Sequence, residues 1–278
     1  MEKVISSIAF GKQPLETTIQ WIKQRKLALE FSSGLPYMSN VLDVFYNADI
    51  AKYAHNYFPA PKEPFVLNLA SSNDTIRERS IAHCLQGLRI SAKVNAPFFS
   101  AHAGFCIDPP PNQLGKKIDI PKISNREMHY DLFLESLTVI LTEAKKLNLK
   151  FLIENNVLAK MNYPNNSQNP LLGVESFELV NLANHFGLNH FGLLLDTAHL
   201  KVSAGTLNFD LNNSVMDLKD YIFCIHHSDN NGMQDDNSIL PEDYWFLKHM
   251  NHFKNIPHVL EVKNIDSAII SSQLELLK

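Results

Sequence analysis

The chain has 278 residues, of which 45% are hydrophobic and 19% charged, so its composition supports a large core and excludes a disordered chain. Its formal net charge is -4 and it has only five arginines, which argues against a protein that binds a phosphate backbone through a basic surface. The three cysteines are widely spaced, and no apolar segment is long enough for a signal peptide or a membrane span. These features predict a cytoplasmic protein with reduced thiols.

Short apolar segments alternate with helical patterns along the whole chain. The predicted strands cover residues 4–10, 27–31, 65–70, 98–102, 150–155, 192–196, 221–229 and 258–262. The predicted helices cover residues 15–25, 40–57, 125–147 and 174–186, and others begin near Asp74, Pro241 and Asp266. Near-continuous apolar strands separated by helices indicate a parallel sheet that is covered on both faces. Eight such units predict an α/β fold, a single (β/α)8 TIM barrel over residues 1–278.

An open, doubly wound sheet is the alternative fold. It usually carries a glycine-rich phosphate-binding turn after its first strand. No such motif follows Phe10 here, and the chain has only ten glycines. The closed barrel is therefore favoured, with the long loops at 106–124, 158–172 and 230–240 expected to set specificity.

Polar side chains stand at or near the ends of most of the later predicted strands. They are Asn68, His102, Glu154, Asp196, His226, His227, Asp229 and Glu261. The carboxyl ends of barrel strands converge on one mouth, so these residues should meet there. Carboxylates brought together in this way usually share a divalent cation. Three carboxylates with one imidazole suit one ion of Mn²⁺, Mg²⁺, Co²⁺ or Fe²⁺, and Zn²⁺ is also compatible.

The histidines do not all share this position. Alternation along the seventh strand turns His227 to the opposite face from His226, so His227 should pack against the helix layer. Seven other histidines fall in predicted helices or connections and are expected to be structural or at the surface: His55, His83, His129, His185, His190, His252 and His258.

Five segments along the chain resemble a known family. FFSAHAGF, FLIENN, GLLLDTAHL, CIHHSDNNG and HVLEVKN occur in this order and at barrel spacing. Over residues 68–264 the chain resembles the xylose-isomerase-like TIM-barrel superfamily, which includes sugar isomerases and epimerases, inosose dehydratase and apurinic endonucleases. The most specific match is the DxxH of Asp196 and His199.

The resemblance implies roles for individual residues. It assigns the metal to Glu154, Asp196, His226 and Glu261, and it gives the two glutamates proton-transfer roles on carbon beside a carbonyl. It places His102 and His199 against the substrate or a second metal. Asn68 and Asp229 are expected to bind substrate as well.

Two departures weaken the endonuclease interpretation. Lys62 stands where that branch has a zinc-binding histidine, and Asn237 stands where it has another. The sequence therefore favours a one-metal isomerase or epimerase of a small sugar, keto-acid or polyol, and a dehydratase would use the same groups. The alternatives are a metal-dependent apurinic endonuclease-like phosphodiesterase and a non-catalytic ligand-binding barrel. A small molecule is the expected partner rather than a membrane or a nucleic acid, and the barrel is compatible with a homo-oligomer.

Overall fold

The computed structural model describes residues 2–120, 125–163 and 168–277. Parts of two predicted mouth loops, residues 121–124 and 164–167, lie outside this description. Within the described residues the strands are β1 (Glu2–Ser6), β2 (Ala28–Phe31), β3 (Lys52–Ala54), β4 (Phe98–His102), β5 (Lys150–Glu154), β6 (Phe191–Asp196), β7 (Ile222–His227) and β8 (Pro257–Leu260).

These strands form one parallel sheet in the order β3-β2-β1-β8-β7-β6-β5-β4. The two ends of the sheet meet at an isolated bridge between His55 and Ser100, where the Asn56 amide donates to the Ser100 carbonyl at 2.7 Å. The sheet is therefore nearly closed, and the predicted (β/α)8 TIM barrel is confirmed.

Helices cover the outside of the sheet. They are α1 (Leu15–Arg25), α2 (Val41–Asn47), α3 (Asp74–Lys93), α4 (Arg126–Leu147), α5 (Ser176–Phe186), α6 (Thr197–Leu207), α7 (Leu211–Leu218) and α8 (Ser267–Leu276). Their ends follow local rules: Asn125 caps α4 by accepting from the Met128 amide, Asp266 caps α8, and Gly187 ends α5 with a φ of 67°. None of the described helices is long and apolar enough to cross a membrane.

The third predicted strand is wrong. Residues 66–70 are buried and Phe65 is half-buried, but the segment does not join the sheet, because side chains bind its backbone amides. Ser80 Oγ accepts from the Asn68 amide at 2.9 Å, and Asn68 Oδ1 accepts from the Ala70 amide at 3.0 Å. The real third strand, β3, lies inside the predicted helix 40–57, of which only α2 is α-helical. A strand of three residues is too short to show a period of two, so its pairing with β2 decides its conformation.

Other boundaries also differ from the sequence-based prediction. The first predicted strand ends at Ser6 and continues as a 3-10 helix at Ser7–Phe10. No α-helix begins at Pro241: turns follow it, and then a 3-10 helix at Leu247–His252. Asn73, rather than Asp74, is the N-cap of α3.

Each strand contributes one apolar or aromatic residue to a cluster inside the barrel. These residues are Val4, Ala28, Tyr53, Phe98, Leu152, Leu194, Cys224 and Val259. A larger cluster fills the space between the sheet and the helices. The three cysteines are buried and unpaired. Because side chains alternate along a strand, a residue two positions after each interior residue also points into the barrel, nearer its carboxyl-terminal mouth.

Candidate functional site

Seven polar side chains at the barrel mouth follow this period of two. Each lies two or four residues beyond an interior residue on its own strand: Glu30, His55, His102, Glu154, Asp196, His226 and Glu261. All except His102 are buried. The barrel therefore brings acidic and imidazole groups from seven strands or strand ends into one place.

Four of these residues form a compact group that could hold a metal ion. Glu154, Asp196, His226 and Glu261 each offer one ligand atom, and these atoms lie within 4.8 Å of one another. His226 Nδ1 is 2.9 Å from Glu261 Oε2 and 3.7 Å from Glu154 Oε1. The structure thus brings together the four residues that the sequence proposed as ligands.

The chemistry of this group fits a divalent cation. Asp196 Oδ2 is buried, and none of the described residues forms a hydrogen bond with it. Burial raises the pKa of Asp196 to about 8. A buried carboxylate oxygen without a donor is costly unless a cation neutralises it. The group of three carboxylates and one imidazole could therefore hold a divalent cation.

Glu30 was missed by the sequence reasoning. Its Oε2 atom lies 2.9 Å from His226 Nε2, on the other side of the imidazole from Glu261. Burial would lower the pKa of His226, but Glu261 and Glu30 outweigh it and hold that pKa well above its ordinary value. The available signal was an acid inside an otherwise apolar strand, LALEF.

A second group shares Glu154 with the first. His55, His102 and Glu154 also offer ligand atoms within 4.8 Å of one another. His55 Nε2 lies 3.2 Å from Glu154 Oε2, and His102 Nδ1 lies 3.5 Å from the same oxygen. Burial would raise the pKa of Glu154, but His102 and His55 hold it well below its ordinary value. The expectation that His55 lies in a helix or at the surface is wrong, because His55 follows β3 and is buried at the barrel mouth.

His199 borders both the first group and the mouth loop after β7. Its Nε2 atom is 3.3 Å from Asp235 Oδ2 and its Nδ1 atom is 2.9 Å from the Asn155 carbonyl oxygen. The Asp196 side chain accepts from the His199 amide at 2.8 Å, so it caps α6 and lies in the metal group at once. Local helix capping therefore fixes the position of His199 relative to Asp196.

Two neighbouring cavities open at this mouth. The first, called the polar cavity, has a volume of about 290 Å³ and is bordered by His55, His102, Glu154, His199, Glu261 and Lys263. The second, called the apolar cleft, has a volume of about 300 Å³ and is walled by Val66, Phe105, Leu114, Ile118, Met161 and Leu171. His102 and His199 line both, so the two cavities adjoin each other.

Comparison with known proteins decides the family. The model of the xylose isomerase-like TIM barrel family matches residues 35–273. The chain belongs to this family. Similar solved structures include a D-tagatose 3-epimerase-like protein at 17% identity and TM-score 0.73, covering 100% of this chain and 98% of that one. No curated protein matches the sequence significantly.

Other similar structures are of proteins named for different activities. The 3-keto-D-glucoside 4-epimerase from E. coli has 13% identity and TM-score 0.68, and endonuclease IV from Thermus thermophilus has 13% identity and TM-score 0.62. Each alignment covers 100% of this chain and 97% of the other. At these identities the likeness shows the fold, which epimerases and an endonuclease share.

Within the xylose isomerase-like family, the two departures noted in the sequence have different outcomes. Lys62 is exposed, and an imidazole reaches the mouth from His55, seven residues earlier in the chain. Asn237 borders the polar cavity and offers an amide where the endonuclease branch would have a histidine. Its neighbour Asp235 does approach His199.

The structure places two proposed substrate-binding residues away from both cavities. Asn68 is fully buried, accepts from the Ala70 and Phe105 amides, and donates to the Ile107 carbonyl and to Asp108. These four hydrogen bonds satisfy both N–H donors and both acceptor lone pairs of the Asn68 side chain. Asp229 Oδ1 pairs with Lys201 at 2.6 Å. Neither side chain borders the polar cavity or the apolar cleft.

His227 lies on the opposite face of β7 from His226, as predicted. Its Nδ1 atom is 3.1 Å from Tyr244 Oη, and its Nε2 atom is 2.8 Å from His258 Nδ1. The His258 Nε2–H donates to the Phe253 carbonyl at 2.9 Å. These two histidines therefore belong to a buried hydrogen-bonded chain behind the sheet and not to the barrel mouth.

Proposed function

We propose that this protein is a metal-dependent isomerase or epimerase of a small hydroxylated carbonyl compound. The observation that carries the proposal is the placement of Glu154 and Glu261. They come from β5 and from the end of β8, border the same polar cavity, and belong to the same four-residue group. Two carboxylates at one cavity suit removal of a proton from carbon and its return.

Glu154, Asp196, His226 and Glu261 would hold the ion. A divalent ion bound there supplies Lewis-acid polarisation of a substrate carbonyl, which makes the proton on the adjacent carbon more acidic. One glutamate removes that proton and the other delivers a proton to the product. His102 and His199 border the cavity and can donate hydrogen bonds to substrate hydroxyls.

The decisive experiment measures exchange of hydrogen on carbon. The protein with Mn²⁺ is incubated with D-fructose, D-tagatose or D-psicose in deuterated water, and NMR follows deuterium beside the carbonyl. We expect exchange with at least one ketose and its loss in both Glu154→Gln and Glu261→Gln. Glu143→Gln is the matched control, because Glu143 pairs with Arg89 on the outside of α4. If metal binds and no ketose exchanges, this function is rejected.

A second candidate is a phosphodiesterase with more than one metal ion. It is favoured by the group of His55, His102 and Glu154, which shares Glu154 with the first group. Metal pairs that share ligands stabilise both oxygens of an in-line displacement. The scarcity of arginine and the lack of lysine or arginine among the described residues lining the apolar cleft oppose it. Incubation with an abasic duplex and Zn²⁺ or Mn²⁺ tests it, and an intact duplex removes this candidate.

A further inference from the structure

The apolar cleft is a feature that proton transfer alone does not explain. It adjoins the polar cavity through His102 and His199, and its volume of about 300 Å³ matches the smaller ligand-binding pockets of proteins. A small sugar bound at the acidic groups would leave this cleft as an apolar surface in contact with water. Exposed apolar surface that is gathered into one concave place usually marks a binding site.

Two exposed side chains show this most clearly. Leu114 is 37% exposed and Met161 is 36% exposed, and both border the cleft although they come from different loops. Their loops are joined: the Ile118 amide donates to Asn162 Oδ1 at 2.9 Å, and Phe105 and Leu171 form an antiparallel bridge. These contacts hold the two loops against each other, and such pre-organisation lowers the entropic cost of binding.

The side chains around the cleft are poorly suited to an anionic ligand group. No lysine or arginine is among the described residues that line it, and Asp235 contributes a carboxylate. Lys116 and Lys117 are exposed on the adjoining loop and do not line the cleft. A phosphate group is normally bound by arginine, lysine or a cluster of backbone amides. The imidazole of His199, which also lines the cleft, is already paired with Asp235, at 3.3 Å between Nε2 and Oδ2.

We propose that the substrate is a neutral, amphipathic molecule. Its hydroxycarbonyl part occupies the polar cavity, where the proposed function requires it, and an uncharged alkyl or aryl substituent fills the apolar cleft. The placement of the hydroxycarbonyl part rests on the proposed function, and the placement of the uncharged substituent rests on the apolar cleft. This assignment separates the substrate from sugar phosphates, which carry a doubly charged phosphate group in place of an apolar substituent.

Calorimetric titration of the Mn²⁺-loaded protein tests the assignment with D-fructose, 6-O-butyl-D-fructose and D-fructose 6-phosphate. Each methylene moved from water to an apolar site contributes about a fourfold gain in affinity. We expect the butyl ether to bind at least tenfold more tightly than fructose, and the phosphate to bind more weakly than the ether. Equal affinity of ether and fructose, no measurable binding of the ether, or tighter binding of the phosphate overturns the assignment.

Variants of cleft residues test whether the higher affinity of the butyl ether comes from the apolar cleft. Leu114→Ser combined with Met161→Ser should remove most of the advantage of the butyl ether over fructose. Phe177→Ser is the matched control, because Phe177 is 59% exposed on α5 and does not border the cleft. Retention of the full butyl advantage in the double variant, or its loss in the control, overturns the assignment.

The two proposals fail in different ways. Deuterium exchange into fructose without any advantage of the butyl ether rejects the substrate class and leaves the isomerase or epimerase in place. An advantage of the ether that depends on Leu114 and Met161, without exchange in any ligand, supports the cleft assignment and rejects the proposed reaction.

Discussion

Glu30 Oε2 lies 2.9 Å from His226 Nε2, although the two residues are 196 positions apart in the chain. The other ring nitrogen, Nδ1, lies 2.9 Å from Glu261 Oε2. Glu30 and His226 are both buried, so the imidazole of His226 is fixed between the carboxylates of Glu30 and Glu261. A carboxylate that holds the far nitrogen of a metal-binding histidine fixes the orientation of the ring and raises its basicity. Glu30 is therefore expected to act as a positioning residue for His226.

Replacement of Glu30 tests this relationship. Glu30→Gln keeps the size of the side chain but removes its charge, and we expect metal affinity to fall by about 10- to 100-fold. Competition with a chelating dye measures that affinity, and circular dichroism checks the fold. Glu143→Gln on the outside of α4 should not change it. An unaltered affinity in folded Glu30→Gln would contradict the orienting role.

Asp196 should affect stability in opposite directions with and without metal. Asp196→Asn removes a carboxyl group whose pKa burial raises to about 8, and with it the cost of burying that group near neutral pH, so without divalent ions we expect a Tm equal to or above that of the parent protein. At a Mn²⁺ concentration of about 100 times its Kd, the parent should gain roughly 5–10 °C and the variant almost nothing. Differential scanning calorimetry with EDTA or Mn²⁺ measures both. A large destabilisation of metal-free Asp196→Asn would indicate that this carboxylate is satisfied by the protein alone.

The second histidine group should appear in the metal content. Zn²⁺ accepts imidazole ligands readily, so we expect two equivalents of Zn²⁺ in the protein after saturation and gel filtration. His55→Gln should reduce the content to one equivalent, because His55 belongs to the second group and lies 3.2 Å from Glu154. His83→Gln provides the control, because His83 is bound to the Asn56 carbonyl outside this group. One equivalent in the parent protein would limit the site to a single ion.

Asn68 should matter for stability more than for substrate binding. Asn68→Ala removes four hydrogen bonds and leaves buried amides and carbonyls without partners, and we expect a loss of about 2–4 kcal/mol in the free energy of unfolding. Urea unfolding measures this loss. Asn181→Ala, at an exposed position on α5, should change it by less than about 0.5 kcal/mol. A stable Asn68→Ala variant with weakened ligand binding would restore the substrate-contact interpretation.

The later half of the barrel was largely readable in the sequence. β4 lies within the predicted bounds, β5 and β6 differ by one residue, and the acids that follow interior residues at a spacing of two lie together as their period requires. Because side chains alternate along a strand, a residue two positions after an interior residue also points inward, and this applies to Glu154, Asp196 and His226. A strand-end position and a period of two therefore sufficed for these residues.

The first half depended on tertiary structure. β3 has three residues, which is too few for a visible period, and only its pairing with β2 makes it a strand. His55 therefore looked like a helical residue, and Glu30 looked like an isolated acid in an apolar segment.

By itself, the sequence determined the alternation of strands and helices and the inward direction of the acids on β5 to β8, because both are local properties of the chain. Only closure of the barrel decided that Glu30 and His55 reach His226 and Glu154, and that Leu114 and Met161 face one cleft. These contacts join residues far apart in the chain, and their geometry follows from the packing of the whole barrel rather than from any local pattern.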